Sequence, residues 1–153
     1  MFSQLSEDMK EFLVLLQKYE IDFLVCGGHA VAFYGYPRMT LDFDLLIKPN
    51  IENAKKIIKC LHEFGFGGIK ELTEERFYQR GTVFTLGAQP NQIDLLTSVS
   101  SQNEQEIFAN KVLGELDGFE LGFICLEDLL RAKKEANRLK DQVDVQELEA
   151  LHR

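Results

Sequence analysis

Apolar residues recur every three or four positions at Leu5, Met9, Phe12, Leu13, Leu15, Leu16 and Tyr19, which predicts an amphipathic helix over 4–19 with Ser6 as a weak cap. A short apolar run over 21–26 follows and ends in Gly27-Gly28, the pattern of a buried strand entering a tight turn. Residues 29–36 read as a short helix stopped by Pro37. The run LDFDLLI over 41–47 is a second strand. Asn50 is placed to cap a helix over 51–64, which Gly65 closes. Residues 65–68 read as a turn, 76–86 as a strand, and Pro90-Asn91 as the turn into a strand over 92–96. The polar stretch 100–111 fits either a helix or a loop. A strand over 119–125 precedes two amphipathic helices, 126–139 and 141–151. The order α-β-α-β-α-β-β-β-α-α predicts an α+β fold, a mixed sheet with helices against it.

Composition narrows the class. With 153 residues of which 45% are hydrophobic, the chain is expected to form one domain over 1–153 with a sizeable core, not a disordered polymer. No apolar run approaches the roughly 20 residues of a membrane span, so no membrane partner is expected. Acidic residues appear early in MFSQLSEDMKEF and no apolar segment follows a basic start, so a cytoplasmic location is expected. Cys26, Cys60 and Cys125 lie far apart among apolar neighbours and read as buried free thiols. A net charge of −8 disfavours non-specific nucleic-acid binding. One local exception is RAKKEANRLK over 131–140, which holds five of the 17 Lys and Arg residues.

The chemistry starts at 41–47. In a strand, Asp42 and Asp44 point to one face while Leu41, Phe43, Leu45 and Ile47 point to the other. Two like charges side by side in apolar surroundings are costly unless neutralised, and a divalent cation is the simplest neutraliser. Asp94 in QIDLL repeats the pattern of a carboxylate inside an apolar strand. If that strand lies beside 41–47, three carboxylates converge, and such an oxygen-only donor set suits Mg²⁺ or Mn²⁺ rather than zinc. Gly27-Gly28 would let backbone amides approach a phosphate, or is simply a tight turn. Lys133, Lys134, Arg138 and Lys140 could grip phosphates, or form a solvated face paired with Glu135 and Asp141. The histidines lack metal-ligand spacing, Ser98, Ser100 and Ser101 lack a nucleophile-elbow context, and the glycines fit neither a dinucleotide fingerprint nor a P-loop.

Gly27-Gly28, then Asp42-Phe43-Asp44, then a later strand with Asp94 resembles the nucleotidyltransferase superfamily typified by DNA polymerase β. The segment CGGHAVAFYGYPRMTLDFDLLI is similar to its small bacterial branch, which includes the AbiEii-type toxins. The tail LEDLLRAKKEANRLKDQVDVQEL resembles that branch as well, with Lys133, Arg138, Lys140 and Asp141 in the recurring places. Relatives often have Gly-Ser where this chain has Gly27-Gly28, and Gly-Arg where it has Asn137-Arg138. The resemblance implies a core over about 20–125, a helical tail over about 126–151, and transfer of a nucleoside monophosphate from an NTP to an acceptor hydroxyl. It implies two Mg²⁺ (or Mn²⁺) ions held by Asp42, Asp44 and Asp94, with Asp94 also a general base. Gly27, Gly28, Arg38 and Lys133 would bind the triphosphate, with Thr40 positioning the loop. The acceptor would be an RNA end, a protein side chain or a small molecule. A place in a toxin–antitoxin pair, with a partner protein and little or no catalysis, is the alternative that the resemblance leaves open.

Overall fold

The computed structural model describes residues 4–153. Helix α1 (Glu7–Lys18) is capped by Ser6, whose Oγ accepts from Met9 N at 3.2 Å, and it buries Met9, Phe12, Leu13 and Leu16. Strand β1 (Phe23–Cys26) runs directly into α2 (Gly27–Phe33), so the two glycines are the first residues of that helix. The sequence pattern places the helix two residues later, because glycine is a poor helix former and reads as a turn. Strand β2 (Asp42–Ile47) follows, then α3 (Ile51–Leu61). Asn50 Oδ1 accepts from Asn53 N at 2.8 Å and caps α3 as its position predicts. A wider helical turn over His62–Phe66 ends the helix, with Gly65 at φ 106°.

The 76–86 segment differs from expectation. It begins as a short helix, α4 (Glu74–Tyr78), turns at Gly81 (φ 86°) and becomes strand β3 only at Val83–Leu86. Phe77 is fully buried on α4, so a single inward aromatic, not strand alternation, organises the first half. Strand β4 (Gln92–Leu96) and helix α5 (Glu104–Ala109) come next, the latter capped by Asn103. Residues 112–116 then form a strand that the hydrophobic pattern does not predict. It is β5 (Val112–Leu116), paired in a hairpin with β6 (Phe119–Phe123) across Asp117-Gly118, both at positive φ. Helix α6 (Leu126–Ala136) stops at Asn137, which adopts the left-handed conformation (φ 52°), and α7 (Leu139–Leu151) starts beyond it. The predicted helix over 126–139 is therefore too long by three residues at its C-terminal end.

The six strands form one mixed sheet in the order β3-β4-β2-β1-β6-β5. Pairs β1–β2, β3–β4 and β5–β6 are antiparallel; β2–β4 and β1–β6 are parallel. This is the mixed sheet with flanking helices expected of an α+β domain. On β2, Phe43, Leu45 and Ile47 are fully buried while Asp42 and Asp44 alternate onto the opposite face. Asn53 is buried and ties the sheet together: its Oδ1 accepts from Asp22 N (2.8 Å), and its Nδ2 donates to Asp22 O and Lys48 O (both 2.9 Å). Cys26 and Cys60 are buried free thiols as expected. Cys125 is free but only partly buried, because it sits at the start of α6, where its Sγ accepts from Asp128 N at 3.4 Å. Among the described residues no helix is long and apolar enough to cross a membrane.

Candidate active site

The parallel register of β2 and β4 puts Asp42 opposite Gln92 and Asp44 opposite Asp94. Residues directly opposite in a sheet present their side chains on the same face. Asp42, Asp44 and Asp94 thereby converge, each offering an oxygen, with these atoms all within 4.8 Å of one another. The three carboxylates singled out in the sequence are brought together by pairing between segments about fifty residues apart.

The carboxylates are held by neutral donors. Thr85 Oγ1 donates to Asp94 Oδ1 at 2.8 Å from the adjacent strand β3, and Gln92 Nε2 donates to Asp94 Oδ1 and Oδ2 at 3.0 and 3.2 Å. Gln89 Nε2 donates to Asp42 Oδ1 at 3.1 Å. Sequence reading passes over all three, since Gln and Thr carry no charge signal, although Gln92 shares the face of Asp94 by simple alternation. Asp44 is half-buried. Burial first, then the charge of Asp94, a hydrogen bond to it, and the charge of Asp42 push the Asp44 carboxyl up to about 7, with Lys133 opposing.

The glycine pair explains how the backbone comes so close. A Cβ built on Gly27 (φ 65°) would lie 2.0 Å from Asp44 Oδ2, and one on Gly28 would lie 2.6 Å from Thr40 Oγ1 and 3.3 Å from Arg38 Nη1. The space a side chain would fill at these positions is taken by the carboxylate, the threonine and the guanidinium. Thr40 also donates to Asp42 O at 3.1 Å, which ties the loop before β2 to the first carboxylate residue.

Around this cluster lies a cavity of about 430 Å³. Asp42, Asp44, Gly27, Gly28, Arg38 and Lys133 all line it, as do Arg138 and Lys140 from the α6–α7 junction. Aliphatic residues line the rest of it: Leu96 at the end of β4, Val99 beyond the strand, and Leu129, Ala132 and Ala136 of α6. A larger hollow of about 720 Å³ between α1 and the β3–β4 hairpin contains none of these residues; the smaller cavity is the chemical one, because the carboxylates and cations converge there.

Three of the four cations, Arg38, Lys133 and Arg138, are held by carboxylates. Arg38 Nε and Nη2 form a fork on Asp144 Oδ1 and Oδ2 at 2.8 and 2.9 Å. Lys133, buried, lies between Asp141 (3.3 Å) and Asp144 (3.0 Å). Arg138 Nε donates to Asp141 Oδ2 at 2.7 Å, and its N to the same oxygen at 3.1 Å. Lys134 and Arg138 do not share one helix face, since Asn137 ends α6 between them; Lys134 approaches Glu149 at 3.6 Å. Asp144 is the partner that sequence reading missed. Its only signal is a carboxylate at a helical spacing of three from Asp141.

The donor set fits a divalent metal. Three carboxylates and no nitrogen or sulfur ligand suit Mg²⁺ or Mn²⁺, and three like charges at this distance call for a cation. In comparisons with known proteins, no family model and no curated protein matches the chain. A crystal structure of an antigenic nucleotidyltransferase-like protein from Paracoccidioides brasiliensis is similar to it, with a TM-score of 0.52 and 15% identity over 96% of this chain and 77% of that one. The fold is nucleotidyltransferase-like.

Proposed function

We propose that the chain is a metal-dependent nucleotidyltransferase that moves a nucleoside monophosphate from an NTP to an acceptor hydroxyl. The observation that carries this reading is the in-register pair Asp44 and Asp94 with Asp42 beside them, where Asp42 and Asp44 line a cavity together with cationic groups. In this reading Asp42, Asp44 and Asp94 hold the ions. Bound Mg²⁺ or Mn²⁺ supplies charge neutralisation for the phosphates and lowers the pKa of the attacking hydroxyl.

The chain's own residues do the rest. Asp94, oriented by Thr85 and Gln92, accepts the proton of the acceptor hydroxyl. The acceptor oxygen bonds to the α-phosphorus as the bond from that phosphorus to the oxygen bridging to the β-phosphate breaks, and pyrophosphate leaves with the electron pair. Arg38, Lys133, Arg138 and Lys140 offset the triphosphate charge. Gly27 and Gly28, which leave room for Asp44, Thr40 and Arg38, would bind the triphosphate through their backbone N–H groups. Asp141 and Asp144 already offset the charge of Arg38, Lys133 and Arg138, so the metal supplies the charge that holds an NTP. The tail residues Lys133, Arg138, Lys140 and Asp141 support a place in the small branch related to AbiEii-type toxins.

Titration calorimetry with ATP, CTP, GTP and UTP, with and without Mg²⁺, tests the reading. Metal-dependent binding that disappears in the Asp42→Asn/Asp44→Asn double variant is expected; unchanged binding in that variant would overturn it. Labelled NTP incubated with lysate then shows whether label enters RNA, protein or a small molecule. Binding without any transfer would instead favour a nucleotide-binding module.

A further inference from the structure

Helix α7 is docked in an unusual way. Its buried residues are Asp141, Asp144 and Leu148, while Leu139, Val143 and Leu151 are exposed at 81, 47 and 55%. An amphipathic helix ordinarily turns its apolar stripe inward. Here two carboxylates face the protein and three aliphatic side chains face out. Buried ion pairs are no better for stability than well-packed apolar residues of similar volume, because desolvation offsets the attraction. Packing alone does not account for this choice of residues.

The partners of Asp144 point to what does. It holds two cations at once, Arg38 from the loop before β2 and Lys133 from α6, and it is itself 1% exposed and outside the cavity lining. The fork on Asp144 occupies Nε and Nη2 of Arg38 and leaves Nη1 beside Gly28, with a Met39 O contact at 3.4 Å. Lys133 has three N–H groups, of which two are directed at Asp141 and Asp144. We propose that Asp144 is a positioning residue for the triphosphate: from behind the cavity wall it fixes Arg38 and Lys133 so that their remaining donors face the glycine turn. Asp144 thus completes the phosphate-binding side of the site without touching the substrate. This inference rests on the nucleotidyltransferase reading.

The alternatives differ in sign. If Asp144 only anchored α7, its loss would lower stability and leave anion binding alone. If it competed with phosphate for the cations, its loss would tighten anion binding. Positioning predicts weaker anion binding with metal binding preserved. The test uses the full chain at a temperature well below unfolding, with Mn²⁺ alone as one probe and inorganic tripolyphosphate plus Mn²⁺ as the other. Asp144→Asn is expected to keep Mn²⁺ affinity within twofold and to weaken tripolyphosphate at least tenfold, and Asp144→Glu to regain part of that loss. Should Asp144→Asn fail to fold, Asp144→Glu, which keeps the charge but shifts the carboxylate under Arg38 and Lys133 by one methylene, is expected to show a smaller loss of tripolyphosphate affinity with Mn²⁺ affinity kept. Tripolyphosphate affinity that is unchanged or higher in the variant that folds would overturn this inference alone. A wild-type protein that binds Mn²⁺ but no tripolyphosphate would overturn the nucleotidyltransferase reading and this one with it.

Discussion

Asp44 stands opposite Asp94 in the parallel β2–β4 pair, and burial together with the charge of Asp94 holds a proton on the Asp44 carboxyl. The Asp44 carboxyl sits near 7, above its ordinary value, so the folded metal-free protein binds a proton that the unfolded chain releases near 4. The native state then binds more protons than the unfolded state between about pH 4 and 7, and the contribution of Asp44 to stability falls as pH rises through that window. Asp44→Asn removes the ionisation. With metal chelated at pH 8, the variant is expected to be more stable than the parent by on the order of 2 kcal/mol after allowing for partial solvent screening, or roughly 4–8 °C in Tm. At pH 4 the two are expected to melt together. Thermal melts in chelator at the two pH values check this.

Added Mn²⁺ or Mg²⁺ is expected to act in the opposite sense. The ion competes with the proton on Asp44, so the metal-induced rise in Tm should be larger at pH 8 than at pH 5.5. At a metal concentration of 100 Kd the stabilisation is about 2.7 kcal/mol. Asp94→Asn is expected to reduce the shift at least severalfold. A shift of equal size at both pH values would show that the ion does not bind at Asp44.

Gly27→Ala places a methyl group 2.0 Å from Asp44 Oδ2 at a residue with φ 65°. The left-handed conformation alone costs a non-glycine residue roughly 1–2 kcal/mol, and the carboxylate must also move. Lower stability together with weakened Mn²⁺ binding is expected, read by calorimetry and by the paramagnetic effect of bound Mn²⁺ on water relaxation.

Lys133→Met leaves Asp141 and Asp144 without their shared cation. Burial works to raise both carboxyls. It is outweighed at Asp141 by the Arg138 hydrogen bonds and Lys133, and at Asp144 by the Arg38 and Lys133 hydrogen bonds, so both lie below their ordinary values. Depressed carboxyls contribute stability above pH 4 that is lost as pH falls through their folded-state values. The variant is expected to lose about 3–5 kcal/mol at pH 7 and progressively less below pH 4, as urea melts across that range would show.

Asn53→Ala removes the bonds to Asp22 N, Asp22 O and Lys48 O. Leaving those backbone groups unpaired is expected to cost about 3 kcal/mol, or roughly 6–12 °C. The site lies elsewhere, so Mn²⁺ affinity measured below the transition should not change.

The local elements were legible where one segment carries its own signal. Asn50 names its helix, the period of α1 survives intact, and LDFDLLI announces both its buried face and its two carboxylates. The Asp117-Gly118 dipeptide is itself a hairpin signal, and reading it against VLGEL and FELGF would have found β5. The strand expected over 76–86 failed because β-type residues there serve a helix whose one buried ring, Phe77, is chosen by tertiary packing.

What the sequence alone determined is therefore a list of parts: most of the elements, though not α4 or β5, the alternation that puts Asp42 and Asp44 on one face, and the glycine pair. The tertiary structure decided which parts meet. Asp94 reaches Asp44 only through the parallel register of β2 and β4. Arg38 and Lys133 are fixed by Asp144, more than a hundred residues from the first and eleven from the second. Hydrophobic period reports burial along one element, whereas a charge cluster depends on which elements lie side by side and in what register. That choice is made by packing the whole sheet, and no single segment contains it.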